Sequence, residues 1–149
     1  MKKTFRQFEK TIEEILKLKD ASETELGKPI SKGKWSIREI VGHLLYWDKY
    51  NLEKMVPLMA EGANLPEFPD HDEHNREAIT FLKDYSVEKI IDHFAMTRRD
   101  LLKSITNLDG DIRFTIGGGK RKFSVESFIK IFLEHDIHHL KQINNLLID

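Results

Sequence analysis

Four stretches of the chain place apolar side chains three and four residues apart, and turn chemistry separates them. Such a chain has four apolar stripes to hide at once, and packing the helices against one another hides them all. The first stretch runs from about Thr4 to Leu26 through Phe5, Phe8, Ile12, Ile15 and Leu16, and breaks at Gly27-Lys28-Pro29. The second opens at Trp35-Ser36-Ile37-Arg38-Glu39, where Ser36 and Glu39 have the spacing of a capping box, and continues through Ile40, Leu44, Trp47, Asn51 and Met55 to about Ala60. The third starts near Ser86, carries Val87, Ile90, Ile91, Phe94, Leu101, Leu102 and Ile105, and stops at Asn107-Leu108-Asp109-Gly110. The last follows Ser124, a fitting N-cap, and extends to about Leu147. Gly62, Pro66, Pro69 and a cluster of Asp, His and Asn predict a long connection over 61–75, with a short helix from Asn75 to Asp84. Arg113 to Phe123 alternates and turns at three glycines, the pattern of a small extended hairpin. The expected fold is all-α: one domain over residues 1–149, a four-helix bundle with a small hairpin before the last helix, its sites on the inward-facing stripes.

A chain of 149 residues, 40% hydrophobic and 33% charged, buries enough surface to fold without a staple, so a bound metal would serve function rather than stability. Lys+Arg 24 against Asp+Glu 25 gives a net charge of -1, which lacks the basic excess that nucleic-acid binding demands. The absence of cysteine excludes disulfides, cysteine zinc sites, iron–sulfur clusters and a cysteine nucleophile, so any thiol chemistry would use an exogenous thiol. The N-terminal residues are charged where a signal peptide needs an apolar core, and no run is long enough to span a bilayer. The expectation is a cytoplasmic protein with neither nucleic acid nor membrane as partner.

The last stripe reads Val125, Phe128, Phe132, then 135 and 139, then Ile143 and Leu146, and both 135 and 139 are histidine. Residues four apart on a helix point the same way, so His135 and His139 can reach one ion with metal–nitrogen bonds of about 2.0–2.1 Å. A lone histidine on an apolar stripe is usually a core residue bonded to a carbonyl; a pair makes ligand and core roles evenly matched. His43, beside Ile40, Leu44 and Trp47 on the second stripe, is the third candidate. Three histidines would leave coordination positions open, as catalytic sites do. Imidazoles suit zinc, nickel, copper or iron rather than magnesium or calcium. His138 points about one residue's rotation away, and His71, His74 and His93 are expected in solvent, with His71 or His74 able to cover the site from the loop.

Trp35-Ser-Ile-Arg-Glu-Ile-Val-Gly-His43-Leu, followed by Glu134-His135-Asp-Ile-His-His139-Leu-Lys-Gln-Ile143, resembles the DinB-like superfamily across nearly the whole chain. The likeness is to its small metal-binding branch, which includes bacillithiol S-transferases and metal-dependent hydrolases. It implies an up-down-down-up four-helix bundle, a homodimer, and a divalent transition metal, zinc or nickel ahead of iron, held by His43, His135 and His139. It implies no contact with DNA.

Gly117-Gly118-Gly119-Lys120-Arg121-Lys122 fails as a phosphate loop, since Phe114 and Arg121 stand where that pattern needs Gly and Ser or Thr. It reads as a solvated basic turn, and its basic residues could meet an anionic substrate at the mouth of the bundle. Glu13-Glu14 and Arg98-Arg99-Asp100 are expected on solvated faces, and Trp47 in the core, at the edge of any pocket. The expected chemistry is metal-dependent and acts on small molecules. In its first form it transfers a low-molecular-weight thiol, activated as thiolate, to an electrophile; in its second it is hydrolysis by activated water. The rival is a non-catalytic metal- or small-molecule-binding stress protein. Candidate bases are His138, Asp136, His71, His74 and Asn75.

Overall fold

The computed structural model describes residues 1–29 and 35–148, with side chains through residue 145, so the expected inward place of Leu146 lies outside the described residues. Three of its four bundle helices start where polar side chains satisfy the free N–H groups of a first turn. Ser36 and Glu39 form the expected capping box at the start of α3 (Ile37–Tyr50). The Ser86 hydroxyl accepts from the Lys89 amide ahead of α5 (Val87–Thr106), and the Ser124 hydroxyl from the Ser127 amide ahead of α6 (Val125–Ile148).

The first stretch divides in two. Helix α1 (Lys3–Leu16) tightens into a 3-10 turn over Lys17–Asp20, the chain turns extended at Ala21, and Ser22 caps a short second helix, α2 (Glu23–Gly27). Leu18 and Leu26 are buried on either side of the break, so both halves serve the same core. The second stretch also changes character: beyond Tyr50 it widens into a π-type turn over Asn51–Met55 and closes with a 3-10 turn at Val56–Leu58, where Pro57 offers no N–H. Helix α4 (His71–Leu82) begins four residues before the expected Asn75, because the Asp70 carboxylate accepts from the Glu73 amide and caps it there.

Two buried clusters fix the topology. One gathers Phe5, Phe8 and Ile12 from the start of α1, Leu101, Leu102 and Ile105 from the end of α5, and Val125, Phe128 and Ile129 from the start of α6. The other gathers Ile15 from the end of α1, Ile37 and Ile40 from the start of α3, Val87 and Ile90 from the start of α5, and Ile143 near the end of α6. Helices α1 and α6 therefore run one way and α3 and α5 the other, which is the up-down-down-up bundle. The expected hairpin shrinks to one antiparallel bridge, Phe114 with Phe123. The neighbouring strand β2 (Thr115–Ile116) pairs instead in parallel with β1 (Asn64–Leu65) from the long connection. Gly117, at φ +60, makes this possible: a Cβ there would meet Glu67 at 3.1 Å, while its amide donates to the Leu65 carbonyl at 2.8 Å. The Asn64 side-chain oxygen adds bonds from the Thr115 hydroxyl and the Gly118 amide. The triple-glycine turn is thus a clamp on the loop that leads to α4.

Between the two clusters lies a layer of charge. Arg98, expected in solvent with Arg99 and Asp100, is 1% exposed, whereas Arg99 and Asp100 are exposed. Its guanidinium bonds Asp48 of α3 at 2.7 and 3.1 Å, Asp136 of α6 at 2.7 and 3.1 Å, and the Phe8 carbonyl of α1 at 2.9 Å. It also lies 3.5 Å from the centre of the Phe8 ring. Position 98 falls in line with Phe94 and Leu101 on the inner stripe, so the helical period rather than the local charge run decided its place.

Removing one partner from a buried ion network leaves the others desolvated and uncompensated. Arg98→Leu is expected to lose about 3–5 kcal/mol of stability in urea denaturation at neutral pH. A loss below about 1 kcal/mol would show that the two aspartates do not need the cation.

Candidate metal centre

His43 stands in the middle of α3, and His135 and His139 stand one turn apart on α6, where these two helices meet. The three Nε2 atoms converge: His43 to His135 is 2.9 Å and His139 to His135 is 3.1 Å. One ligand atom from each of the three lies within 4.8 Å of the others. His43 and His139 are buried and His135 is half-buried, and clefts reach the cluster beside His43 and beside His135.

The outer ring nitrogens explain why the inner ones converge. His43 Nδ1 lies 2.8 Å from the Asn75 side-chain oxygen on α4, and His139 Nδ1 lies 2.8 Å from the Gln142 side-chain oxygen one turn along α6. An amide oxygen only accepts, so each Nδ1 carries the proton and each Nε2 of these two rings presents a lone pair. His135 has one ring proton to offer at Nε2 and faces two such lone pairs. A cation at the meeting point satisfies all three. Two nitrogens each about 2.1 Å from one ion stand roughly 3.0–3.4 Å apart at octahedral to tetrahedral angles, close to the spacings found. The donor set therefore fits a divalent transition metal with open positions, and oxygen partners on the outer nitrogens are what ligating imidazoles usually have.

Burial works in the same direction. Desolvation, reinforced by the neighbouring imidazoles, lowers the pKa of His43 from 6.5 to about 3 and of His135 to about 4, and desolvation lowers that of His139 as well. All three rings are thus neutral, the form a metal requires, across the physiological range.

The remaining candidates are placed differently. Asp136 faces the bundle interior, where Arg98 and the Thr11 hydroxyl occupy its oxygens, so it is not available as a base. His138 is exposed, outside the converging trio, with its ring 5.2 Å from that of His139. His74, expected in solvent, is buried against Trp47 with ring centres 4.0 Å apart, while His71 is exposed at the start of α4. Asn75 is the hydrogen-bond acceptor that orients His43. Gln142 is a site residue that the sequence motifs do not mark; its signal is its position, three residues after His139 on the same face of α6. Trp47 fills both expected roles, as core residue and as wall of a cleft beside His135.

The family model for the DinB superfamily matches residues 7–143. The chain belongs to the DinB superfamily. Comparison with curated proteins finds no match. Among solved structures the chain is similar to YfiT from Bacillus subtilis, described as a probable metal-dependent hydrolase with an unusual four-helix bundle topology. The likeness has a TM-score of 0.76 at 16% identity and covers 97% of this chain and 83% of that one, so it is a likeness of fold. Among the described residues of this DinB-superfamily chain, no helix is long and apolar enough to cross a membrane.

The depressed histidine pKa values tie stability to pH. In metal-free protein the unfolded imidazoles take up protons as pH falls below 6.5, whereas folded His43 and His135 resist until about 3 and 4, so the histidine contribution is lost across that window. Burial raises Asp48 to about 6, which acts in the opposite sense below that pH, so the comparison must be between variants. His43→Gln is expected to lose less stability than the parent between pH 6.5 and 4.5 in chelator-treated urea titrations. Identical slopes would mean that His43 titrates normally.

Proposed function

We propose that this chain is a metal-dependent enzyme acting on small molecules, with His43, His135 and His139 holding one divalent transition metal, zinc or nickel first. The convergence of three neutral Nε2 atoms, two of them fixed by Asn75 and Gln142, carries the reading. Hydrolysis is the leading reaction, in keeping with the description of YfiT. A metal held there would act as a Lewis acid, lowering the pKa of a water or thiol at its open positions towards neutrality.

The protein's own residues would supply geometry and shelter. Asn75 and Gln142 hold the imidazoles in one tautomer and orientation, which keeps the donor set assembled before a substrate arrives. Trp47 and Phe132 shield one flank of His135 from water, and the half-buried edge of His135 leaves the approach. The Arg98 network holds Asp136, and with it the adjacent His135, at a fixed height on α6.

Transfer of a low-molecular-weight thiol to an electrophile is the second reading, and one observation favours it. Among the described residues no carboxylate joins the three histidines: of the two that flank His135 in sequence, Asp136 is taken by Arg98 and Glu134 is exposed. A thiol, with a pKa near 8.5 when free, needs less help than water to ionise.

Protein purified without a tag or chelator is expected to carry about one transition-metal ion per chain by elemental analysis, lost in His43→Ala and His139→Ala. Asn75→Ala and Gln142→Ala should keep the metal but bind it some 10–100-fold more weakly. Ester and amide panels assayed with and without added thiol then separate the reactions: turnover in buffer alone supports hydrolysis, and turnover only with consumption of thiol supports transfer. Turnover undiminished after removal of the metal would overturn both.

A further inference from the structure

Beside the histidine cluster lies a cleft of about 310 Å³, walled by Trp47, Phe68, His71, Ile131, Phe132 and His135. His135 belongs to both, so whatever fills the cleft sits next to the ring whose Nε2 faces His43 and His139. The aromatic walls brace one another: Trp47 lies 5.8 Å from Phe132 and 6.0 Å from Phe68, and Phe68 lies 6.0 Å from Phe132, between ring centres. His71 closes the side towards α4, its ring 5.6 Å from Trp47.

The wall that could most easily move is tied down. Phe68 belongs to the long connection, and the clamp between that connection and the triple-glycine turn holds the backbone three and four residues before it, at Leu65 and Asn64. Phe68 also stacks on Phe128 of α6, with ring centres 6.0 Å apart. The cleft is therefore built in advance of any ligand, as small-molecule sites usually are.

Among the described residues no carboxylate, lysine or arginine lines the cleft, so a charged group entering it would lose its hydration without gaining a counter-ion. A void of roughly 150 Å³ already holds benzene, so this one has room for a single ring and a short substituent. Flat apolar walls at aromatic contact distances favour a planar ring over a flexible chain.

We infer that this cleft is the subsite for an uncharged, single-ring aromatic portion of the substrate, with Trp47 and Phe68 as specificity-determining residues and the reacting group carried next to His135. The inference rests on the three histidines being the reactive centre, but binding in the cleft does not need the metal. Failure of one idea is thus separable from failure of the other.

The test uses full-length, chelator-treated protein with a ¹⁵N-labelled indole, so that the Trp47 ring N–H signal is followed directly, and Trp35→Phe assigns it. Benzyl alcohol, benzylammonium and benzoate are titrated in turn. Benzyl alcohol is expected to shift the Trp47 signal saturably, with the two charged analogues at least about tenfold weaker. Phe68→Ala should weaken benzyl alcohol by roughly fivefold. Ile131→Trp, which fills the cleft from α6, should abolish the shift and keeps the test open if Phe68→Ala does not fold. No shift with benzyl alcohol, equal binding of a charged analogue, or undiminished binding in Ile131→Trp would each overturn the subsite. A protein that binds no metal yet shows the benzyl alcohol shift would leave the subsite standing and remove the metal centre alone.

Discussion

The guanidinium of Arg98 ties three of the four long helices together through side chains, reaching Asp48 on α3 and Asp136 on α6, and touches α1 through the Phe8 carbonyl. Apolar stripes alone specify that helices pack, but they tolerate sliding by a turn; five directed hydrogen bonds around one planar cation do not. Desolvating three charges is expensive, and the net worth of such a network can be small compared with an apolar core of the same shape. Its value here is registration. Asp136 is adjacent to His135, and Asp48 lies little more than one turn beyond His43, so the network that aligns α3 with α6 also brings the histidines together.

Given that alignment, the histidine cluster follows from short-range chemistry. Three imidazoles pressed together in a poorly hydrated place resist protonation, and Asn75 and Gln142 decide which nitrogen of two of the rings keeps its proton. The result is two fixed lone pairs for which His135 has a single proton, a shortfall that a cation among the three removes. On the His135 side the cluster opens onto an aromatic cleft with neutral walls, one of them carried by a loop that a glycine turn far along the chain holds in place.

Much of this is legible before any coordinates. Spacings of three and four residues locate the four bundle helices, Ser36, Ser86 and Ser124 mark where three of them begin, and two histidines inside the last stripe point to a site. What escapes is whatever depends on a partner distant in the chain. Arg98 sits in a run of charge that suggests solvent, and only Asp48 and Asp136 make its burial tolerable. Asp136 consequently looks like a free carboxylate beside a metal ligand when it is a structural counter-ion. The divided first stretch turns on one competing cap, Ser22. The parallel pairing of β1 with β2 replaces most of a hairpin because the loop from 61 onward offers a strand edge to the glycine turn, a contact no local pattern encodes.

The whole site turns on three Nε2 atoms brought to one point, with those of His43 and His139 free of a proton. Long-range ¹H–¹⁵N correlation spectra of the seven histidines, recorded without metal and after one equivalent of zinc, test it directly. The account predicts the Nδ1–H tautomer for His43 and His139 before zinc, and metal-induced shifts at the Nε2 atoms of His43, His135 and His139 after it. Nε2–H tautomers at His43 and His139, or zinc-dependent shifts confined to other histidines, would contradict it.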